Sequence, residues 1–131
     1  MYQRKNITSF RTNKQNNLEN SSLTPRQLFE EFRKDKLDFG WIYGYKALDK
    51  FKGLEDKNSF LVPTIEFVRQ EKEDRVRSWG ISVLEQIGGS NSYNVLMQFF
   101  KASKNRNEKR KYVYSRFFAL KALANVAGSQ Q

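Results

Sequence analysis

Apolar side chains recur along much of this chain with the spacing of an α-helix. In residues 76–87 the apolar positions, together with Gly80, fall at i, i+3, i+4, i+7, i+8 and i+11, which form one continuous helix face. Few segments alternate with period 2, and only two Pro and seven Gly are present. The pattern predicts an all-α protein with helices over these ranges: 25–36, 38–52, 59–71, 74–87, 92–101 and 111–127.

Capping residues indicate where several of these helices begin and end. Residues 24–27 (T-P-R-Q) have the pattern of a capping box, with Pro at the first helical position. The Gly pair at 88–89 predicts the end of the fourth helix. Ser90 or Ser92 is then expected to cap the helix that follows.

The chain divides into a tail and one domain. Residues 1–22 are rich in Asn, Gln, Ser and Thr without a sustained period, which predicts a flexible polar and basic tail. Docking of Ile7 and Phe10 on the domain is the alternative. Residues 23–131 suit a single helical domain. Phe alone supplies 11 residues, so that a core can be built from fewer, larger side chains.

An apolar stripe is repeated three times along the chain. Residues 76–89 align with 115–128 at a shift of 39, and residues 43–53 align with the same frame at a shift of 36. Each copy has a large–small pair, followed three residues later by Ala or Val and then Leu. The pairs are Tyr43-Gly44, Trp79-Gly80 and Phe118-Ala119. Such repetition is typical of stacked helical hairpins, in which the small residue lets helices approach and the aromatic fills the space beside it.

Residues 71–89, followed by a second amphipathic helix, resemble a HEAT repeat of the bacterial type first noted in phycobilisome lyases. The matching elements are an acidic turn, Val76-Arg77, the small Gly80, Leu84 and Ile87-Gly88. The resemblance covers residues 37–128, about two and a half repeats. It implies an α-solenoid, a superhelical stack of antiparallel hairpins that presents a groove to partners. It implies no single activity, because HEAT-like stacks serve many functions.

Arg77 and Arg116 recur at one position of the repeat, where residue 41 is Trp. The resemblance implies that this Arg bridges the turn between units, through Glu71 or Asp74 in the case of Arg77. A structural role is therefore expected, and ligand binding is the alternative.

The net charge of +10 is unevenly distributed: +3 in residues 1–25, zero in 26–100 and +6 in 101–116. The candidate polyanion- or partner-binding residues of the last segment are Lys101, Lys104, Arg106, Lys109, Arg110 and Lys111. They form either a solvated inter-repeat loop or a surface that contacts phosphate or acidic protein. Tyr112 and Tyr114 either stack on bases or pack in the final helix.

Composition excludes several kinds of chemistry. Without Cys or His, the chain lacks disulfides, thiolate nucleophiles, Cys/His zinc sites and imidazole acid–base catalysis. It also lacks a Gly-rich phosphate loop, a nucleophile elbow and a metal motif. No apolar run approaches the roughly 18 residues that span a bilayer, and residues 1–20 lack the apolar h-region of a secretory signal. We therefore expect a cytoplasmic protein without membrane contact, not an enzyme, and with no catalytic residue, cofactor or metal.

Two further groups of residues are interpreted structurally. The acids Glu30, Glu31, Asp35 and Asp38 interleave with Arg33, Lys34 and Lys36. This alternation predicts an exposed, charge-balanced helix surface rather than a catalytic carboxylate pair. Trp41 and Trp79 lie on apolar faces and are expected to pack rather than to stack on a ligand.

The leading hypothesis is a non-catalytic helical-repeat scaffold that binds another protein. One alternative is a nucleic-acid-binding HEAT-like protein that uses residues 101–116, although the neutral balance of residues 26–100 argues against a broad phosphate-binding face. A phycobilin lyase-like subunit is a third hypothesis, based on the resemblance alone. The final helix leaves apolar residues without the second helix of their unit, which predicts a longer parent solenoid or self-association through that helix.

Overall fold

The computed structural model describes residues 23–36, 41–101 and 109–129, with residues 109, 110 and 126–129 described in backbone only. Within these ranges the chain forms six α-helices and no strand. The helices are α1 (Pro25–Lys34), α2 (Ile42–Lys52), α3 (Leu61–Gln70), α4 (Asp74–Ile87), α5 (Gly89–Lys101) and α6 (Val113–Ser129). The predicted all-α class is confirmed for this part of the chain, whereas the predicted tail, residues 1–22, lies outside it.

Short 3₁₀ turns precede two of the helices. Asn58–Phe60 leads into α3, and Lys109–Tyr112 leads into α6. The helices that were predicted to begin at 59 and 111 therefore begin as α-helices two residues later. Hydrogen bonds of the i→i+3 kind often tighten the first turn of a helix in this way.

The first helix begins as the capping box predicts. Thr24 Oγ1 accepts the N–H of Gln27 at 3.1 Å, and Gln27 Oε1 accepts the N–H of Thr24 at 3.0 Å. The prediction that Ser90 or Ser92 caps the fifth helix is wrong. Gly88 and Gly89 have positive φ values of +72° and +84°, and α5 begins at Gly89, so Ser90 and Ser92 both lie inside the helix and Ser92 is buried.

Helix α4 is the centre of the fold. It contacts each of the other five helices, and every residue from 76 to 84 is buried. A single apolar cluster includes residues from all three copies of the repeated stripe: Ala47, Leu48, Phe51, Trp79, Val83, Leu84, Ala119, Ala122 and Leu123. The three stripes therefore face one common core, as the repeat predicts.

Two glycines bring neighbouring helices close to α4. A Cβ at Gly44 would overlap the indole of Trp79, so the backbone of α2 packs directly against this α4 side chain. A Cβ at Gly80 would lie 2.5 Å from Val68 Cγ1 and 2.8 Å from Phe67 Cδ2, where α3 packs on α4. These are the close approaches that the large–small pairs predict.

Consecutive helices pack in pairs. The contacts are extensive between α1 and α2, between α3 and α4 and between α5 and α6, and α4 also packs extensively on α6. In contrast, α4 has few contacts with α5. In space, residues 74–87 are thus the second helix of a pair, whereas the sequence resemblance makes them the first helix of a repeat.

Candidate interaction surface

A buried carboxylate fixes the start of α2. Asp35 follows the last residue of α1 and is completely buried. Its Oδ1 accepts the N–H of Tyr43 at 3.2 Å, and its Oδ2 accepts the N–H of Gly44 at 2.9 Å. Both donors lie in the first turn of α2, where amide groups have no partner within the helix and favour negative charge. The Nε1 of Trp79 donates a third hydrogen bond, 2.8 Å long, to Oδ2.

The prediction that Asp35 lies on an exposed, charge-balanced surface is wrong. Leu28, Phe32 and Asp35 are spaced i, i+4 and i+7, so the carboxylate continues the buried stripe of α1. That spacing was the signal that could have identified it. Glu30 and Glu31 do form helix-surface ion pairs, with Arg26 at 3.7 Å and with Lys34 at 2.6 Å.

A second carboxylate fixes the start of α6. Asp74 is the first residue of α4, and its side chain is 13% exposed. Its carboxylate accepts the N–H of Tyr114 at 2.6 Å and the N–H of Ser115 at 3.0 Å. The hydroxyl of Ser115 donates to the same carboxylate at 2.6 Å. As at α2, the carboxylate caps amides in the first turn of the helix.

Arg77 links this cap to the neighbouring turns. Its guanidinium donates to Asp74 Oδ1 at 3.0 Å, to the carbonyl of Glu71 at 2.7 Å and to the Ser115 hydroxyl at 2.8 Å. It also donates to the carbonyl of Lys111 and lies 4.5 Å from the ring centre of Tyr112. This side chain therefore holds the turn before α4 and the turn before α6 together.

Arg116, the residue aligned with Arg77 in the repeat, has different surroundings. It is exposed, and its guanidinium lies 5.6 Å from the ring centre of Phe100 on α5. The two arginines thus share a position in the aligned sequence but not an environment.

Glu71 connects α1 to the turn before α4. Its carboxylate pairs with Arg33 at 3.3 Å and Lys36 at 3.6 Å, and it accepts the N–H of Glu73 at 3.1 Å. Burial by itself raises the pKa of this carboxyl. The N–H of Glu73 and the two cations outweigh burial and hold the pKa of Glu71 below its ordinary value of 4.5.

Aromatic rings join the beginnings of α2 and α6. Trp41 makes edge-to-face contacts with Trp79 at 5.5 Å and with Tyr114 at 5.2 Å between ring centres. It also lies 6.2 Å from Phe118. The guanidinium of Arg75 covers the Trp41 ring at 4.6 Å. Both Trp residues pack as expected, Trp79 in the core and Trp41 half-buried at its edge.

Exposed apolar side chains fall mostly on the two helices that this aromatic junction links. Among the described residues, seven large hydrophobic side chains are exposed, and six of them lie on α2 and α6. We define the α2–α6 face by these six: Ile42, Tyr45, Val113, Tyr114, Phe117 and Leu120. The seventh, Val62 on α3, is exposed to the same 63% as Phe117. Single exposed hydrophobic residues are common, whereas six on two helices that Trp41 links mark a candidate binding surface.

The predicted basic segment is described only in part. Lys104 and Arg106 lie outside the described residues, and Lys109 and Arg110 are described only as part of the 3₁₀ turn. Lys101, at the end of α5, and Lys111, just before α6, are both exposed. Tyr112 is half-buried against Arg77, whereas Tyr114 belongs to the α2–α6 face.

A groove of about 930 Å³ lies between α1 and α2. Its lining includes the apolar residues Leu23, Ala47 and Leu54 together with the charged residues Glu30, Glu31, Asp49, Lys46 and Lys50. The two signs of charge nearly balance there, so this groove has no marked preference for a charged ligand.

Neither protein-family models, nor curated proteins, nor solved structures contain a match to this chain. None of the helices in the described ranges combines the length and apolar character that crossing a membrane requires. Across residues 23–36, 41–101 and 109–129, no group of three or more Asp, Glu, His or Cys side chains is arranged to hold a metal ion.

Proposed function

We propose that this chain is a non-catalytic protein-binding module that uses the α2–α6 face. The observation that carries the proposal is the concentration of exposed apolar side chains on these two helices. Aromatic residues are enriched in the centres of protein interfaces, because a ring buries a large area and loses little conformational freedom. Tyr45, Tyr114 and Phe117 supply three such rings.

The two helices of the face are also held in place by carboxylates that cap their first turns. Asp35 caps α2 and Asp74 caps α6, and both carboxylates contact side chains of α4. A partner would therefore meet side chains on helices that are already held in place, which reduces the entropy lost on binding.

A HEAT-like α-solenoid is the architecture that we propose for this module. Support comes from the pairwise packing of consecutive helices and from the three repeated stripes in one core. In such stacks, successive hairpins present equivalent helices along one side, and that side is available to partners.

Nucleic acid is the second candidate partner, because Tyr114 and the exposed Lys111 lie close together in sequence. Stacking on bases requires free aromatic faces. The face of Tyr112 that meets Arg77 is occupied, which leaves Tyr114 as the available ring of that pair. The neutral charge balance of residues 26–100 also gives little support for a long phosphate-binding surface. These observations favour a protein.

Photo-cross-linking from the face tests the proposal. A photoreactive amino acid is placed at Tyr45 or Phe117, and at Val62 as the matched exposed control. We expect protein cross-links in lysate from positions 45 and 117 and few from position 62, unchanged by nuclease treatment. Equal cross-linking from all three positions would reject the proposal. Cross-links that disappear with nuclease would replace it with the nucleic-acid function.

A further inference from the structure

The exposed side of α6 carries a regular row of apolar side chains. Val113, Phe117 and Leu120 follow the spacing i, i+4 and i+7 and are 55–63% exposed. Ser115, Ala119 and Ala122, on the opposite side of the same helix, are completely buried. Helix α6 is thus apolar on two sides, one packed on the core and one open. A row with this spacing is the kind of ridge that packs against another helix.

Positive charge borders this row on both sides. At about 100° per residue, Arg116 and Lys121 fall on opposite sides of the row, each within a turn of it. Both side chains are exposed. Helix α6 contains no Asp or Glu, and residues 101–112, which precede it, carry a net charge of +5.

From this arrangement we infer that the partner segment is an amphipathic helix with acidic residues on both flanks. Its apolar side packs on Val113, Phe117 and Leu120, and its carboxylates pair with Arg116 and Lys121. This inference rests on the proposed function and specifies the partner for the α6 half of the face. Docking of an amphipathic helix through anchors at i, i+4 and i+7 is a common mode of peptide recognition.

The charges beside the row distinguish an acidic partner helix from a second copy of this chain. In a symmetric α6–α6 contact, Arg116 and Lys121 of one copy would lie near Arg116 and Lys121 of the other copy. Like charges brought together across an interface oppose association, whereas acidic flanks would complement them. The charges therefore favour a different, acidic chain over self-association.

Two synthetic peptides form the direct test. Each is an amphipathic helix of about 18 residues, long enough to form several turns, with Leu in one apolar row. One peptide has Glu on both flanks, and the other has Lys. By fluorescence anisotropy at low salt, we expect the Glu peptide to bind about tenfold more tightly, because exposed ion pairs contribute modestly and like charges subtract.

Variants of the protein assign this preference to α6. Phe117→Asp should weaken binding of the Glu peptide about tenfold or more, whereas Val62→Asp should leave it unchanged. Arg116→Glu with Lys121→Glu should invert the preference, so that the Lys peptide binds more tightly. Lys121→Glu alone should reduce the preference for the Glu peptide. This single change leaves the Arg116–Phe100 contact intact. Circular dichroism and thermal unfolding identify variants that remain folded.

Results that overturn the inference are distinct from those that reject the proposed function. Equal binding of the two peptides, or an unchanged preference in the charge-reversed variants, overturns the inference, as do neutral or basic partner segments cross-linked at position 117. A dimer in sedimentation that Phe117→Asp abolishes also overturns it, in favour of a second copy. None of these results by itself rejects protein binding by the face. The proposed function itself fails when positions 45 and 117 capture no more protein than position 62, or when their cross-links disappear with nuclease.

Discussion

The indole N–H of Trp79 donates to the carboxylate of Asp35, a residue 44 positions earlier in the chain. The same oxygen, Oδ2, accepts the backbone N–H of Gly44. One buried carboxylate therefore joins the end of α1, the first turn of α2 and the middle of α4. Its negative charge is stabilised by these oriented N–H groups and by the positive end of the α2 dipole.

Replacing Asp35 with Asn should lower the free energy of unfolding by about 2–3 kcal/mol, because an amide accepts less strongly and places an N–H among donors. Urea denaturation measures the change. Asp49→Asn, an exposed change on α2, serves as the control and should stay within about 0.5 kcal/mol of the parent protein. Equal effects of the two changes would show that the Asp35 carboxylate does not stabilise the fold.

Arg77→Met should be much more destabilising than Arg116→Met, although the two residues align in the repeat. The first change removes a buried cation and leaves Asp74 without its ion pair, which should cost about 3–5 kcal/mol. The second removes an exposed side chain and should cost about 0.5 kcal/mol or less. Thermal and denaturant unfolding of both variants test this difference, and similar losses would contradict it.

Gly44→Ala and Gly80→Ala should each destabilise the fold by about 1–3 kcal/mol, because the new methyl group meets Trp79 in one case and Val68 in the other. Gly53→Ala is the matched control. Its φ is −81°, and an added Cβ would lie 3.6 Å from its nearest neighbour, the carbonyl oxygen of Lys50. That variant should be neutral or gain up to about 1 kcal/mol. Tolerance of Ala at positions 44 and 80 would exclude the close helix approaches.

The acid stability of the protein should depend on Glu71. Because its pKa is lowered in the folded state, its ionised form stabilises the fold above the unfolded value of 4.5. That contribution is lost as pH falls through the lower, folded pKa. Glu71→Gln should therefore be less stable than the parent near neutral pH and lose less stability on acidification. Parallel acid-unfolding curves for the two proteins would rule out this role.

Local patterns predicted the helices well. The 3.6-residue spacing predicted the six helices of the described ranges, and the capping box placed the start of α1. The repeated stripes also identified residues that meet in one core, because equivalent positions in similar helices bury equivalent faces. Helix spacing and caps depend on residues within a few turns of one another, and the repeat carries the same local pattern to three helices.

The same local patterns could not predict polar contacts between residues that lie far apart in the sequence. Local spacing could have shown that Asp35 is buried, but not its partners, Trp79 and the first amides of α2, because none of them adjoins it in sequence. Arg77 is buried and Arg116 is exposed because different segments pack beside their helices. The repeat alignment gives no information about those neighbouring segments. Exposed apolar residues on α6 were anticipated, but their meeting with α2 through Trp41 was not.

The first two turns of α4 contact the capping groups of both helices of the face: Asp74 itself caps α6, and Trp79 donates to Asp35, the carboxylate that caps α2. A single short stretch of chain therefore sets the separation and tilt of Tyr45 relative to Tyr114. Transplanting α2 or α6 alone into another protein would not recreate their mutual arrangement. Substitutions that tilt the first two turns of α4 would instead change the shape offered to a partner without altering any side chain that the partner touches.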